Sequence, residues 1–216
     1  MTPSRILIVL TAAGCAALVG LQLAGLNDVS VVAKLVASTS FVALAVVSGA
    51  RSTLYGRLIG AGLVLSWFGD MFLTSQAQPM FLAGLSAFLL AHLMYSAAFI
   101  ARGYKRAWVL IAAVPLTALA IAVWVWLEPS TPADLSIPVR AYIAVITVMV
   151  ILAFGARGAG GSNYIIAGAV LFFLSDLSVA ALRILDTSYA TYALGLPAYY
   201  AAQVCLALST DRKSVV

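Results

Sequence analysis

Two aspartates stand in stretches that otherwise read as oil: Asp70 in LSWFGDMFL and Asp176 in LFFLSDLSVA. A charge at the centre of a membrane-spanning helix costs about 2.5–3.5 kcal/mol on insertion scales, and the ionisable residues that survive there usually mark a polar site. Three more share the setting: Lys34, His92 and Arg140. Their spacing is regular, since Lys34 precedes Asp70 by 36 residues and Arg140 precedes Asp176 by 36. Two carboxyl groups in different surroundings can divide acid–base work, one donating a proton and the other staying ionised beside a cation. Asp70 and Asp176 are therefore the candidate catalytic pair.

Other polar side chains gather around them: Ser66, Tyr95, Tyr142, Ser175, Tyr199, Tyr200 and Gln203. His92 and Tyr95 lie three apart and share a helix face, and Gln203 shares one with Tyr199 or Tyr200. With Lys34 and Arg140, these are candidates to bind substrate or to tune the carboxyls. A plainer arrangement would pair Lys34 with Asp70 and Arg140 with Asp176 as ionic staples, because four unpaired charges would cost on the order of 10 kcal/mol. Stapling leaves the added hydroxyls, the imidazole and the amide unexplained.

The elements that must carry these residues are plain in the composition. The chain is 64% apolar and 9% charged, with a mean hydropathy of +1.09; soluble domains are about 25% charged. Apolar runs of spanning length fall near 6–26, 29–49, 57–75, 80–101, 107–127, 136–155, 164–183 and 189–209. Backbone polar groups must be satisfied internally in lipid, and runs this long favour helices over a barrel. The expectation is an all-α membrane protein of eight transmembrane helices, forming one domain over 1–216. The first run continues to Leu26, too long for a typical signal peptide, so it is expected to remain as a helix.

With the N-terminus cytoplasmic, the inside segments hold Arg5, Arg51, Arg57, Arg102, Lys105, Arg106, Arg157, Arg212 and Lys213. The outside loops hold Arg183 beside Asp28, Glu128, Asp134 and Asp186. This asymmetry orients both termini to the cytoplasm. The net charge of +5 thus reflects topology and gives no reason to expect nucleic acid. The repeated 36-residue spacing predicts two parallel four-helix repeats, about 1–106 and 107–216. At a rise of about 1.5 Å per residue, Lys34, Asp70, Arg140 and Asp176 all fall near one level in the outer half of the bilayer. Gly69 and Gly168 are expected to allow close helix packing, and Cys15 and Cys205 to be packing residues.

Several chemistries are set aside. The sequence has no HExxH, no Cys/His zinc spacing, no Walker loop and no GxSxG; GLSAF at 84–88 lacks the second glycine. The ordered set of Lys34, LSWFGDMFL, His92, Tyr95, GAVLFFLSD and the Tyr-Tyr-x-x-Gln at 199–203 resembles the YhhN family of membrane proteins, the lysoplasmalogenases. The match runs from Lys34 to Gln203, with a departure at Leu35, where the family commonly has proline. The resemblance implies a hydrolase that cleaves the vinyl ether bond of lysoplasmalogens to a fatty aldehyde and glycerophosphoethanolamine or glycerophosphocholine. It implies no metal or organic cofactor. Its partners would be a lysophospholipid substrate and the lipid bilayer, in a bacterial plasma (inner) membrane. The rival from another class is a proton-coupled transporter of a small or lipid-like solute, for which parallel repeats and intramembrane charges also speak. Carriers often break helices at matching positions, whereas Pro115 and Pro197 fall in the fifth and eighth helices, which do not correspond.

Overall fold

The computed structural model describes residues 2–75, 77–187 and 194–211. They form eight α-helices joined by short turns, and no strand occurs among the described residues. The helices are α1 (Pro3–Leu23), α2 (Asn27–Val47), α3 (Leu54–Phe72), α4 (Gln78–Arg102), α5 (Arg106–Leu127), α6 (Ser136–Gly158), α7 (Asn163–Leu185) and α8 (Leu196–Leu208). Six of them, all but α3 and α8, are long and apolar enough to cross a membrane. Arg57 and Asp70 lower the hydropathy of α3, and α8 is described over 13 residues. The eighth run was expected from residue 189, but 188–193 lie outside the described residues, as do Arg212 and Lys213.

Local sequence explains the helix ends. Thr53 and Ser162 accept hydrogen bonds from Gly56 N and Tyr164 N at 3.0 and 3.2 Å, satisfying orphan donors at the starts of α3 and α7. Gly103 leaves α4 at φ 96°, a backbone region that side chains disfavour. Pro197 sits in the first turn of α8, where its missing N–H costs nothing. Pro115 lies inside α5, which continues through it.

Successive helices pair as α1/α2, α3/α4, α5/α6 and α7/α8, and α2 also meets α8 while α6 meets α4. Between lipid-facing helices water gives no hydrophobic drive, so association rests on close packing. The α3/α4 contact shows how. A methyl on Gly62 would overlap the Tyr95 ring, and one on Gly69 would overlap the Phe88 ring. Gly168 likewise admits Leu206 between α7 and α8. The small residues bring the helix of Asp70 against the helix of His92 and Tyr95. Around them Phe41, Leu63, Phe99, Met149 and Phe172 are fully buried. Cys15 and Cys205 are free thiols within this packing.

At one end of the bundle Arg102 donates to Gly160 O at 3.0 Å and stacks over Tyr55, and Lys105 N donates to Gly155 O at 3.0 Å. That end gathers the turns carrying Arg51, Arg57 and Arg157. The other end, with the start of α2 and the end of α7, carries the cavity.

Candidate functional site

Asp70 lies near the end of α3, 6% exposed. Its Oδ2 accepts from Ser38 Oγ of α2 at 2.5 Å and from Tyr199 OH of α8 at 2.8 Å. Since the Ser38 proton is used on Asp70, Tyr200 OH is the donor in its 3.4 Å contact with Ser38 Oγ. Two hydroxyls on one oxygen, backed by a third, form a donor set suited to a carboxylate anion. Lys34, one helical turn from Ser38 on α2, lines the same cavity, close enough for its charge to act on Asp70.

Asp176, on α7, is served differently. Tyr142 of α6 donates to its Oδ2 at 2.8 Å, and His92 Nε2 of α4 stands 3.5 Å from the same oxygen. The imidazole is fully buried, and among the described residues neither of its nitrogens has a partner that meets hydrogen-bond geometry, the nearest backbone acceptor being that of Phe88 one turn earlier. Aromatic rings hold it, with Phe172 at 4.6 Å and Tyr142 at 5.3 Å between centroids. Asp176 itself is 16% exposed. An unaligned imidazole beside a lightly supported carboxyl is a pair that can exchange a proton with a third party.

Further from the mouth, Ser66, Tyr95 and Gln203 form a buried chain. Tyr95 OH donates to Gln203 Oε1 at 3.1 Å, so Ser66 Oγ is the donor in its 3.2 Å contact with Tyr95 OH. Gln203 Nε2 is buried without a hydrogen-bond partner among the described residues. Tyr199 OH also lies 3.5 Å from Ser66 O, joining this chain to Asp70.

Both aspartates face a half-open cavity of about 380 Å³. Its polar lining includes Lys34, Gln78, Tyr142, Ser175, Arg183 and Tyr199, and its apolar walls come from α4, α5, α6 and α7. The size and the mixture, mostly apolar with a few convergent polar groups, fit a small-molecule site. Among the described residues no group of three His, Cys, Asp or Glu side chains is placed to hold a metal ion.

The arrangement brings together Asp70, Asp176, Lys34, His92, Tyr142, Ser175 and Tyr199, with Tyr95, Tyr200 and Gln203 behind them. Arg140 is not among them. The expected Arg140–Asp176 pair does not form: Arg140 Nη2 meets Glu128 Oε1 at 3.4 Å, both side chains about half exposed (55% and 54%), and its guanidinium stacks over Trp124 at 4.3 Å. Helical geometry gives the reason. Tyr142 faces Asp176, and two residues turn a helix through about 200°, which carries Arg140 to the far side. Nor do Lys34 and Asp70 form an ion pair, for no contact within 4 Å joins them.

Sequence reasoning passed over three contributors. Ser38 was signalled by its place one turn after Lys34. Arg183, counted as a loop charge, lies seven residues beyond Asp176 on the same helical stripe. Gln78, at the start of α4, shares its rim.

Comparison with known proteins bears on the same residues. A model of the YhhN family matches residues 29–210. The chain is 32% identical to the lysoplasmalogenase TMEM86A of Bos taurus over 162 residues and 30% identical to that of Homo sapiens over 157 residues. Each alignment covers 70% of this chain and 64% of the relative, so the match leaves about a third of each relative's length uncovered. No solved structure matches.

Proposed function

The chain belongs to the YhhN family, an integral multi-pass membrane protein, and from that premise we propose that it hydrolyses the vinyl ether bond of lysoplasmalogens, releasing a fatty aldehyde and a glycerophospho-alcohol. The observation that carries the reading is the pair of aspartates with unlike donor sets facing one amphiphilic cavity. The relatives' name, lysoplasmalogenase, supports the substrate class.

Vinyl ether hydrolysis begins when an acid places a proton on the alkene carbon that is not bound to oxygen, leaving an oxocarbenium ion. Water then adds to the carbon bound to oxygen, giving up a proton. The resulting hemiacetal collapses to aldehyde and alcohol as its hydroxyl proton passes to the departing oxygen. The two carboxyls divide these tasks as paired carboxylates do in glycoside hydrolysis. In our reading Asp176, with one donor and His92 at hand, is the general acid. Asp70, held by Ser38 and Tyr199 under Lys34, is the anion that stabilises the cation and takes the proton from water. Tyr142 and Tyr199 orient the carboxyls, and Ser175 faces the bound chain.

The setting of this chemistry is read as eight spans in two parallel halves. The second helix of each half packs on the fourth helix of the other, α2 on α8 and α6 on α4, which supports the repeat. Both termini and the arginine-rich turns then lie on the cytoplasmic side of a bacterial plasma membrane. Nothing in the cavity favours the carrier: its lining comes from one half of the bundle's length.

The test is aldehyde release by detergent-purified protein given a lysoplasmenylethanolamine. Release that is lost in a folded Asp176→Asn variant supports the proposal; no release by the folded parent overturns it.

A further inference from the structure

Arg183 has no part in the chemistry above, yet it lines the cavity that holds both aspartates. Asp176, Val179, Ala180 and Arg183 all face that cavity, the i, i+3, i+4, i+7 stripe of one helix face. Two turns separate Arg183 from Asp176, a rise of about 10 Å. Helical side chains lean toward the N-terminus of their helix, so the guanidinium leans back from the end of α7 toward the carboxyl. The α2 chain runs the other way, and by the same rule the Lys34 side chain leans toward the rim. The two cations thus converge above the aspartates.

Among the described residues no carboxylate lies within 4 Å of Lys34 or Arg183, and Lys34 stands near enough to feel both the Asp70 carboxyl below it and the Arg183 charge beside it. The Arg183 guanidinium carbon lies over the Phe81 ring, 5.1 Å from its centroid, and the guanidinium carries its N–H donors in one plane. Gln78 brings an amide to the same rim. Two cations converging on an otherwise apolar cavity, one of them offering a planar fork, suit a phosphate diester.

We propose that Lys34 and Arg183 together bind the phosphate of a single-chain phospholipid at the rim of the cavity, so that the glycerol spans from them down to the aspartates. This rests on the reading of the cavity as a lysophospholipid site. Arg183 takes the role that the sequence pattern had offered to Arg140, and makes the headgroup phosphate, rather than the chain alone, a determinant of recognition.

The probes are an uncleavable alkyl-ether lysophosphoethanolamine and the alkylglycerol of the same chain, which lacks the phosphate. Binding of each to the detergent-purified full chain is measured for the parent, Arg183→Gln, Arg183→Lys and Lys34→Gln. The parent should prefer the phospholipid by about tenfold or more, and either Gln variant should lose about tenfold for the phospholipid alone. Arg183→Lys should keep part of the preference, since it retains the charge and loses the fork. Equal binding of both probes by the parent overturns the proposal. So does an Arg183→Gln loss that is the same for both, which marks a structural role. Displacement of the phospholipid probe by inorganic phosphate at equal concentration would assign the site to a free anion and overturn the headgroup. Selective binding without aldehyde release from a vinyl ether removes the reaction and leaves this site standing. Release with unselective binding removes this site alone.

Discussion

The two basic residues that stand 36 positions ahead of the two aspartates meet opposite fates. Lys34 lines the cavity beside Asp70, while Arg140 turns away from Asp176 onto Trp124 and Glu128. In the first half the hydroxyl that serves the aspartate is Ser38, four residues after the lysine and on its face. In the second it is Tyr142, two residues after the arginine and across the helix. Equal spacing in sequence therefore did not give equal azimuth. The second half filled its vacancy from another direction, with His92 near the carboxyl and Arg183 at the rim.

The comparison can be broken most directly at the carboxyls. Asp70→Asn and Asp176→Asn should each reduce turnover by at least about 100-fold, measured as aldehyde release, with helix content by circular dichroism showing intact folding. If one variant keeps full activity, the two-carboxylate division is wrong. Next in size come the hydroxyl donors. Tyr199→Phe and Tyr142→Phe each remove one hydrogen bond to a charged or ionisable partner, a loss of about 1.5–3 kcal/mol, and kcat should fall by about ten- to a hundredfold. Because Asp70 keeps Ser38 and Asp176 keeps no second hydroxyl among the described residues, Tyr142→Phe should be the more damaging; the reverse order would exchange the roles of the two sites. Lys34→Gln should raise KM by about tenfold, since it removes a cation facing the substrate. Smallest of all, Arg140→Gln should leave both kcat and KM within about twofold, in keeping with a surface ion pair worth about 0–1 kcal/mol. A large effect there would restore the symmetry that the structure breaks.

Much of this was legible because polarity in an apolar run is conspicuous. The apolar runs placed the helices closely: α4 spans Gln78–Arg102 where 80–101 was expected, and α6 spans Ser136–Gly158 where 136–155 was expected. Asp70, Asp176, His92, Tyr95, Tyr142, Tyr199 and Gln203 stood out for the same reason, and they come together. What could not be read was azimuth across helices. Periodicity tells which residues of one helix share a face, and that was enough for His92 with Tyr95. It does not tell which face meets which neighbour, so the Arg140 pairing failed and Ser38, one serine among many, passed unnoticed. Arg183 was hidden by its place near a helix end, where it counts as a loop charge whether or not its side chain lines a cavity.

The lining of the cavity has a further consequence. Lys34, Gln78 and Arg183 occupy its rim, while Leu85, Val123, Ile143 and Ile146 wall its interior, and the carboxyls sit on the border. The cleavage proposed for that border would separate an amphiphile into two fragments that no longer want the same solvent. The alcohol belongs to water, and the aldehyde belongs to lipid. On the proposed reaction each would leave by dissolving into its own phase, so the partition that would hold such a substrate becomes, once the bond is gone, the force that clears the site.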